Sequence, residues 1–203
     1  MTALLLPRDL ALWQAAKPYL DVRNNDEHTL VAYAVARQLL AMIPEANPDV
    51  VLPAVILHDV GWKRIPPHLL LEAIGKTPSR PDLVRQHEVE GVEIAREILT
   101  AQRPEGVPID QVLAIIDGHD TDKTARSVND AVMKDADKLW RITPHGSRII
   151  RGWYDWSLAD YVGMVEVVSN PRLLTDQGKM LGAFLLDTYR AERDLAIYME
   201  TGA

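Results

Sequence analysis

The sequence predicts an all-α protein. Apolar residues recur every three or four positions over most of the 203-residue chain, which indicates a series of amphipathic helices. Signals for β-strands are nearly absent, because no stretch sustains a two-residue alternation and no pair of such stretches is joined by a hairpin turn. No linker, low-complexity tract or repeat interrupts the pattern. We therefore expect one all-α domain over residues 1–203.

The helices are placed by apolar periodicity and by capping residues. The predicted segments are 8–20, 26–43, 48–60, 67–74, 82–100, 108–118, 127–141 and a long C-terminal helix at about 171–199. Asn24, Asn25 and Asp26 are candidate caps for the second helix. Pro53 lies inside the third, which predicts a bend or a later start.

Further cap signals and joints complete this assignment. Asn47-Pro48, Thr143-Pro144 and Asn170-Pro171 each have the form of a cap followed by a first-turn proline. Residues 61–81 contain glycine and several prolines, and they form a candidate flap. The aromatic stretch 153–161 is expected to pack in the core rather than to contact a substrate.

Composition and charge exclude several classes of protein. The chain is 47% hydrophobic and 25% charged, which argues against disorder. Its net charge is −7 and its pI is about 5.3, so a broad nucleic-acid surface is not expected. There is no cysteine, and a metal ion would have to be held by histidine and carboxylate.

Location and partners follow from the same features. The N-terminal apolar run is short, is interrupted by a proline and has no basic segment before it, so we expect neither a signal peptide nor a membrane span. The expected location is the cytoplasm. Bulk nucleic acid and a membrane are not expected as partners. The oligomeric state is left open.

The most informative segment is LPAVILHDVGW, residues 52–62. An apolar run ends in His58 and Asp59, side by side, and Gly61 follows. Burying both polar side chains is costly unless they have a partner, and a metal ion accepts imidazole and carboxylate together. The alternative is a hydrogen-bonded core histidine beside a capping aspartate.

Further candidate ligands lie on other helices. His28 and His87 lie on apolar helix faces, and His119 follows Gly118 at the end of a helix. On the helix at 127–141 the chemistry alone leaves Asp135 and Asp137 both open as an acidic ligand. The remaining histidines, His68 and His145, are interpreted as surface residues.

Four segments together resemble a known family. EHTLVAYAVA, VILHDVGW, IIDGHD and KDADKLWR are similar, in order and spacing, to the HD-domain superfamily of metal-dependent phosphohydrolases. The resemblance covers about 24–141, with further helices at about 144–200. It implies one metal ion held by His28, His58, Asp59 and Asp137, which selects Asp137 over Asp135.

The extra histidines resemble the subset of that superfamily with two metal ions. In that subset Asp59 would bridge to a second ion held by His87 and His119. The implied cofactor is a pair of divalent ions, iron or manganese, with nickel, cobalt or magnesium as alternatives. Asp117 and Asp120, which flank His119, are candidates for a role around the ligands.

Basic residues near the predicted ligands could bind an oxyanion. Lys123 lies four residues after His119, and Arg126, Lys134 and Lys138 follow. We assign substrate binding to Lys123, Arg126 and Lys134, and a solvated face is the alternative for them. One feature departs from many phosphodiesterase members, which have a lysine after the motif glycine: here Trp62 follows Gly61, and Lys63 is one residue late.

Three functions are compatible with these residues. The favoured one is hydrolysis of a nucleotide or small phosphate ester, with Asp59 and Lys123 as the catalytic residues. The second, implied by the same resemblance, is a mixed-valent diiron oxygenase that cleaves an organophosphonate or a polyol. The third is a nucleotide-binding regulatory domain without turnover. The Gly-Tyr-Pro signature of cyclic-di-GMP phosphodiesterases is absent, so a cyclic dinucleotide substrate is not favoured.

Overall fold

A computed structural model describes residues 4–73 and 79–202. Within these residues the chain forms α-helices joined by short turns and contains no strand. The helices are α1 (Leu10–Ala16), α2 (Asn25–Met42), α3 (Pro48–Leu57), α4 (Leu70–Ala73), α5 (Asp82–Gln102), α6 (Ile109–Ile116), α7 (Val128–Trp140), α8 (Pro144–Tyr154), α9 (Leu158–Met164) and α10 (Asp176–Thr201). The prediction of an all-α fold is confirmed. None of the helices in the described ranges is long and apolar enough to span a membrane.

The core is built around α3. This helix packs against α2, α6 and α7, and α2 also packs against α7. Every side chain of α3 from Val50 to Leu57 is buried, so the helix is enclosed on all sides. Because α3 is enclosed, the residues that directly follow its last turn, His58 and Asp59, are also buried.

Pro53 does not delay the start of α3. Asn47 caps the helix by accepting a hydrogen bond of 2.8 Å from the backbone N–H of Asp49, and Pro48 occupies the first turn. Pro53 is the sixth of the ten residues of α3, and its missing N–H leaves the carbonyl of Asp49, in the first turn, without its usual partner. The helix continues through Pro53 to Leu57.

Two predicted helix starts differ from the structure. Asn24 stands at the N-cap position of α2, but its φ is 59° and its side chain makes no capping hydrogen bond. The last helix begins at Asp176 with Thr175 as its cap, whereas Asn170 opens only a short 3₁₀ turn. The reason for the later start is Asp135, which is buried and accepts hydrogen bonds from the backbone N–H groups of Leu174 and Thr175 and from the Thr175 hydroxyl.

The predicted flap is only partly described. It contains a 3₁₀ turn at Val60–Arg64, another at Pro67–Leu69, and α4, while residues 74–78 lie outside the described residues. Trp62, Ile65 and Leu70 form a small apolar cluster with Leu83 of α5. This part of the segment is therefore packed against α5.

Gly61 allows the turn after α3 to approach α5 closely. A Cβ placed on Gly61 would lie 2.5 Å from the backbone nitrogen of Gly91 and even closer to the carbonyl oxygen of His87. Backbone atoms within a helix cannot move aside as a flexible side chain could. Gly61 is thus required by the contact that brings His58 and Asp59 next to α5.

We expect Gly61→Ala to destabilise the protein by about 2–4 kcal/mol, because the added methyl group overlaps the α5 backbone. Urea unfolding followed by circular dichroism measures the change. Gly152→Ala is the control, since a Cβ at this exposed helical position meets no atom within 4 Å and should change the stability by less than about 1 kcal/mol. Equal stability of the two variants would contradict the close approach.

Candidate metal centre

The six predicted metal ligands come together at the centre of the bundle. His28 lies in the first turn of α2, and His58 and Asp59 follow the last turn of α3. His87 belongs to α5, His119 follows α6, and Asp137 belongs to α7. Each is buried, with at most 8% of its surface exposed. Five separate helices thus contribute to one cluster.

One half of the cluster surrounds Asp59 Oδ2. This oxygen lies 3.5 Å from His28 Nε2 and 3.6 Å from His58 Nε2, and Asp137 Oδ1 lies 3.4 Å from His28 Nε2. Metal–ligand bonds of about 2.0–2.2 Å place neighbouring ligand atoms roughly 3.0–3.5 Å apart. The observed separations match that spacing, and His28, His58 and Asp137 can hold one metal ion together.

The other half surrounds Asp59 Oδ1. This oxygen lies 3.7 Å from His87 Nε2 and 3.6 Å from His119 Nε2, and these two nitrogens are 3.3 Å apart. Asp120 Oδ2 lies 3.9 Å from His87 Nε2 and 3.8 Å from His119 Nε2. His87, His119 and Asp120 form a second group that could hold a metal ion. Asp59 is therefore placed between two halves, with one oxygen in each.

Backbone hydrogen bonds orient two of the imidazoles that are predicted to be metal ligands. His58 Nδ1 lies 2.8 Å from the Val55 carbonyl oxygen, and His119 Nδ1 lies 2.9 Å from the Ile116 carbonyl oxygen. A carbonyl can only accept, so both Nδ1 atoms donate, and the Nε2 atoms of the two rings are directed to the cluster. His58 Nε2 then faces His28 Nε2 at 3.0 Å as well as carboxylate oxygens. Only a cation satisfies so many lone pairs, and this donor set fits a divalent metal.

The protonation of the cluster follows from its burial and its charges. Burial lowers the pKa of His28 and of His87 to about 4, so both rings are neutral at neutral pH. Burial alone would raise the pKa of Asp59, but the surrounding histidines, His58 first, hold that pKa well below its usual value. Burial opposes a charge on His119, yet its hydrogen bond to Asp59 and the nearby carboxylates raise its pKa to about 9. A metal ion would take the place of that proton.

Asp120 is the ligand-type residue that sequence reasoning placed outside the ligand set. Glu88, next to His87 on α5, accepts hydrogen bonds of 2.8 Å from the backbone N–H groups of Asp120 and Thr121 and one of 2.7 Å from the Thr121 hydroxyl. These bonds fix the turn that carries His119 and Asp120. The sequence did hold a signal, since the His-Asp pair of residues 58–59 recurs at 119–120.

The other side chains considered at the sequence level lie elsewhere. Asp117 pairs with Arg85 at 2.6 Å instead of facing the cluster. His68 is exposed, and His145 is hydrogen-bonded to Glu27 at 2.8 Å. None of the three joins the metal ligands.

The structure does not bring the three predicted substrate-binding cations to the cluster. Lys123 is exposed and makes no hydrogen bond or ion pair with any residue that the structure describes. Arg126 donates to the carbonyl oxygens of Ala114 and Asp117 and pairs with Asp122. Lys134 is buried and donates to the Thr124 carbonyl oxygen and to Asp130. Arg126 and Lys134 therefore hold the loop between α6 and α7 in place, and a substrate contact by Lys123 stays a prediction.

Other cations stand at the cluster instead. Lys138 Nζ lies 2.8 Å from Asp120 Oδ1 and 2.5 Å from Asp137 Oδ2. Arg141 Nη2 lies 3.7 Å and 3.6 Å from the same two oxygens. Both carboxyl groups keep a lowered pKa against the effect of burial, largely because of Lys138. The sequence signal was the one-turn spacing of Asp137 and Arg141 on α7, since residues four apart share a helix face.

Trp62 occupies the position after Gly61, where many phosphodiesterase members have a lysine. Its indole N–H donates to Asp59 Oδ1 at 3.1 Å, and its ring stacks on His87 with centroids 4.0 Å apart. Lys63, one residue later, is exposed and pairs with Asp21. The residue after Gly61 therefore orients two of the predicted metal ligands, Asp59 and His87, through an aromatic ring.

The HD domain family profile matches residues 25–142, which is more than half of the chain and includes all seven residues of the cluster. The chain belongs to the HD domain family. The predicted resemblance is confirmed, and it places this protein in the superfamily of metal-dependent phosphohydrolases, whose members bind divalent metals. No curated protein and no solved structure matches the chain.

For the metal-free HD protein, we expect the free energy of unfolding to fall as the pH drops from about 6.5 to 4. In the unfolded chain His28 and His87 take up protons near pH 6.5, but in the fold they do so only near pH 4. The unfolded state thus binds more protons across this window, so acid favours it. The stabilisation from the raised pKa of His119 is fully present below pH 6.5 and does not alter the trend.

Urea unfolding at several pH values, after treatment with a chelator, measures this dependence. His28→Gln should make it shallower, whereas His68→Gln, at an exposed position, should not change it. A stability that stays constant between pH 6.5 and 4.5 would contradict the assignment of neutral, buried histidines.

Proposed function

We propose that this protein is a metal-dependent phosphohydrolase that acts on a nucleotide or another small phosphate ester. The observation that carries the proposal is Asp59, whose two carboxylate oxygens each face a separate pair of imidazoles within 3.5–3.7 Å. A carboxylate placed in this way could offer one oxygen to each of two cations. Paired divalent ions are a common device for displacement at phosphorus.

The residues that would hold the two ions follow from the geometry. His28, His58 and Asp137 with Asp59 Oδ2 would hold one, and His87, His119 and Asp120 with Asp59 Oδ1 the other. When bound, such ions lower the pKa of water and stabilise negative charge that develops on phosphoryl oxygens. The chain itself keeps its carboxyl groups ionised and its imidazole Nε2 atoms directed to the site.

In the proposed reaction a water oxygen forms a bond to phosphorus while the bond from phosphorus to the alcohol oxygen breaks. The proton released from the water ends on the departing alcohol, so the products are an alcohol and the phosphate from which it was cleaved. Lys138 and Arg141 hold Asp120 and Asp137 in place beside the reacting group. The indole N–H of Trp62 orients Asp59.

The size of the substrate is limited by the burial of the cluster. Asp59 and Asp120 are its more accessible members, with 11% and 17% of their side chains exposed, and the four imidazoles are more deeply buried. A substrate therefore reaches the cluster on the Asp59–Asp120 side. This access suits a small phosphate ester, and the net charge of −7 does not favour a long nucleic acid.

The second candidate function is a diiron oxygenase acting on an organophosphonate or a polyol. The donor set supports it, because four imidazoles with carboxylates and no thiolate suit iron as well as manganese. Lys123 does not separate the two functions, because it was predicted to contact the substrate in both and is exposed. We favour the hydrolase because the HD domain family belongs to the superfamily of metal-dependent phosphohydrolases.

Removal of a central ligand should abolish both metal binding and turnover. We expect His58→Ala to lose at least one metal ion per chain and to lower kcat/KM for phosphate-ester hydrolysis by at least about 100-fold, since changes in residues around ligands already cost 10- to 100-fold. Metal content is measured by elemental analysis, and activity by phosphate release. His68→Ala, an exposed histidine, is the matched control. Full metal content and turnover in His58→Ala would show that the ligand assignment is wrong.

The identity of the bound metal should separate the two candidate functions. For a hydrolase we expect colourless protein that releases phosphate when loaded with manganese or nickel under nitrogen. Two irons per chain, with an oxygen-sensitive colour and product formation only in air, would instead support the oxygenase. Elemental analysis, absorption spectra and assays with and without oxygen make this comparison.

A further inference from the structure

Arg23 lies beside the metal centre in an unusual backbone conformation. It immediately precedes Asn24, and both residues have positive φ, 52° and 59°. The left-handed region is unfavourable for residues other than glycine, and two in succession are held only when the surroundings require it. The effect of this turn is to direct the Arg23 side chain inward, just before α2 begins.

Two indole rings hold the Arg23 guanidinium. Its central carbon lies 4.8 Å from the ring centroid of Trp62 and 5.2 Å from that of Trp153. Guanidinium groups are attracted to aromatic faces at such distances. Trp62 also donates a hydrogen bond to Asp59, so the same indole contacts both the Arg23 guanidinium and the carboxylate at the middle of the cluster.

Two nitrogens of the Arg23 guanidinium have no hydrogen-bonding partner among the residues that the structure describes. Its Nε and Nη1 atoms are enclosed, and neither bonds to any residue in the described part of the chain. The charges that act on it are those of the site, with Asp59 and Asp120 attracting it and Arg141 repelling it. Lys138 and Arg141, by contrast, are paired with Asp120 and Asp137. Arg23 is half-buried, and a cation with two enclosed and unused donor atoms is costly unless an anion from outside binds to it.

We propose that Arg23 is a specificity-determining residue that binds the terminal phosphate of the substrate, and that the substrate is a phosphate monoester. This inference rests on the proposed phosphohydrolase function. The guanidinium presents its N–H groups in a planar fork that matches two oxygens of a phosphate. The two indoles orient that fork, so little side-chain freedom is lost when the anion binds.

The number of free oxygens distinguishes a monoester from a diester. A monoester phosphate has three oxygens besides the ester oxygen, so it can face both halves of the cluster and still offer an oxygen to Arg23. A diester has only two, and both are needed at the cluster. A diester would leave the Arg23 donors unsatisfied, and a site that loses hydrogen bonds to buried groups discriminates strongly.

The test compares p-nitrophenyl phosphate with bis(p-nitrophenyl) phosphate, which share a leaving group. For the wild-type protein loaded with manganese we expect a higher kcat/KM for the monoester. Arg23→Met should lower kcat/KM for the monoester about 10- to 100-fold and change that for the diester less than threefold. Binding of inorganic phosphate, measured by calorimetry, should weaken by a similar factor, while the metal content stays at the wild-type value.

Two further variants control the interpretation. Arg96→Met removes an arginine whose side chain is 57% exposed and whose ion pair is weak, at 4.0 Å, and it should behave as wild type. Arg23→Lys keeps the charge but loses the planar fork, so its phosphate affinity should lie between those of wild type and Arg23→Met. Thermal unfolding checks that each variant is folded, and Arg23→Lys replaces Arg23→Met in the comparison if the latter is not.

The outcomes separate this inference from the function on which it rests. If the wild-type protein holds metal but neither binds phosphate nor hydrolyses the monoester, the phosphohydrolase proposal itself fails. If the wild-type protein does both and the Arg23 variants match it, Arg23 is only a packing residue and the inference is overturned. An equal loss for both esters would also overturn it.

Phosphonates carry the same terminal group as phosphate monoesters, and ³¹P NMR separates the two classes. Hydrolysis of a monoester releases inorganic phosphate, whereas a phosphonate is recovered unchanged.

Discussion

The carboxylate of Asp59 lies between two groups of buried imidazoles, and its two oxygens belong to different groups. This arrangement requires helices from distant parts of the sequence to meet at one point. Four histidine Nε2 atoms and three carboxylates in a core are unfavourable by themselves, because lone pairs and negative charges face one another without water. A divalent cation bound there would reverse the sign of that interaction, so the fold and the bound cation would stabilise each other.

Several features of the fold serve to bring Asp59 to this position. The fully buried helix α3 carries it into the core, and Gly61 lets the following turn lie against α5. Trp62 then orients the carboxylate by a hydrogen bond and orients His87 by stacking on its ring. Glu88 fixes the turn that carries His119 and Asp120. The polar residues outside the cluster thus determine how closely its two halves approach.

The sequence was sufficient to predict the all-α fold and the burial of the six predicted ligands. His28, His87 and Asp137 lie on helix faces that periodicity marks as inward, and His58 ends an apolar run, so their burial follows from pattern alone. The family resemblance then supplied their roles. What the pattern does not contain is the direction of side chains in irregular segments. Lys123 is close to His119 in sequence, yet the loop between α6 and α7 leaves it in solvent.

Arg23 is a second residue whose side-chain direction cannot be predicted from the sequence. It lies in a polar joint before α2, where no glycine indicates a left-handed turn, and nothing in the sequence indicates that it points inward. Among the cations near the cluster, Lys138 and Arg141 have their charges matched by carboxylates of the chain, and they are explained by the stability of the site. The charge of Arg23 is matched by none of the described residues within ion-pair distance, although two indoles hold its guanidinium in place. A group that the fold positions at the expense of a strained backbone, and leaves without a partner, is best explained by an anion that arrives with the substrate.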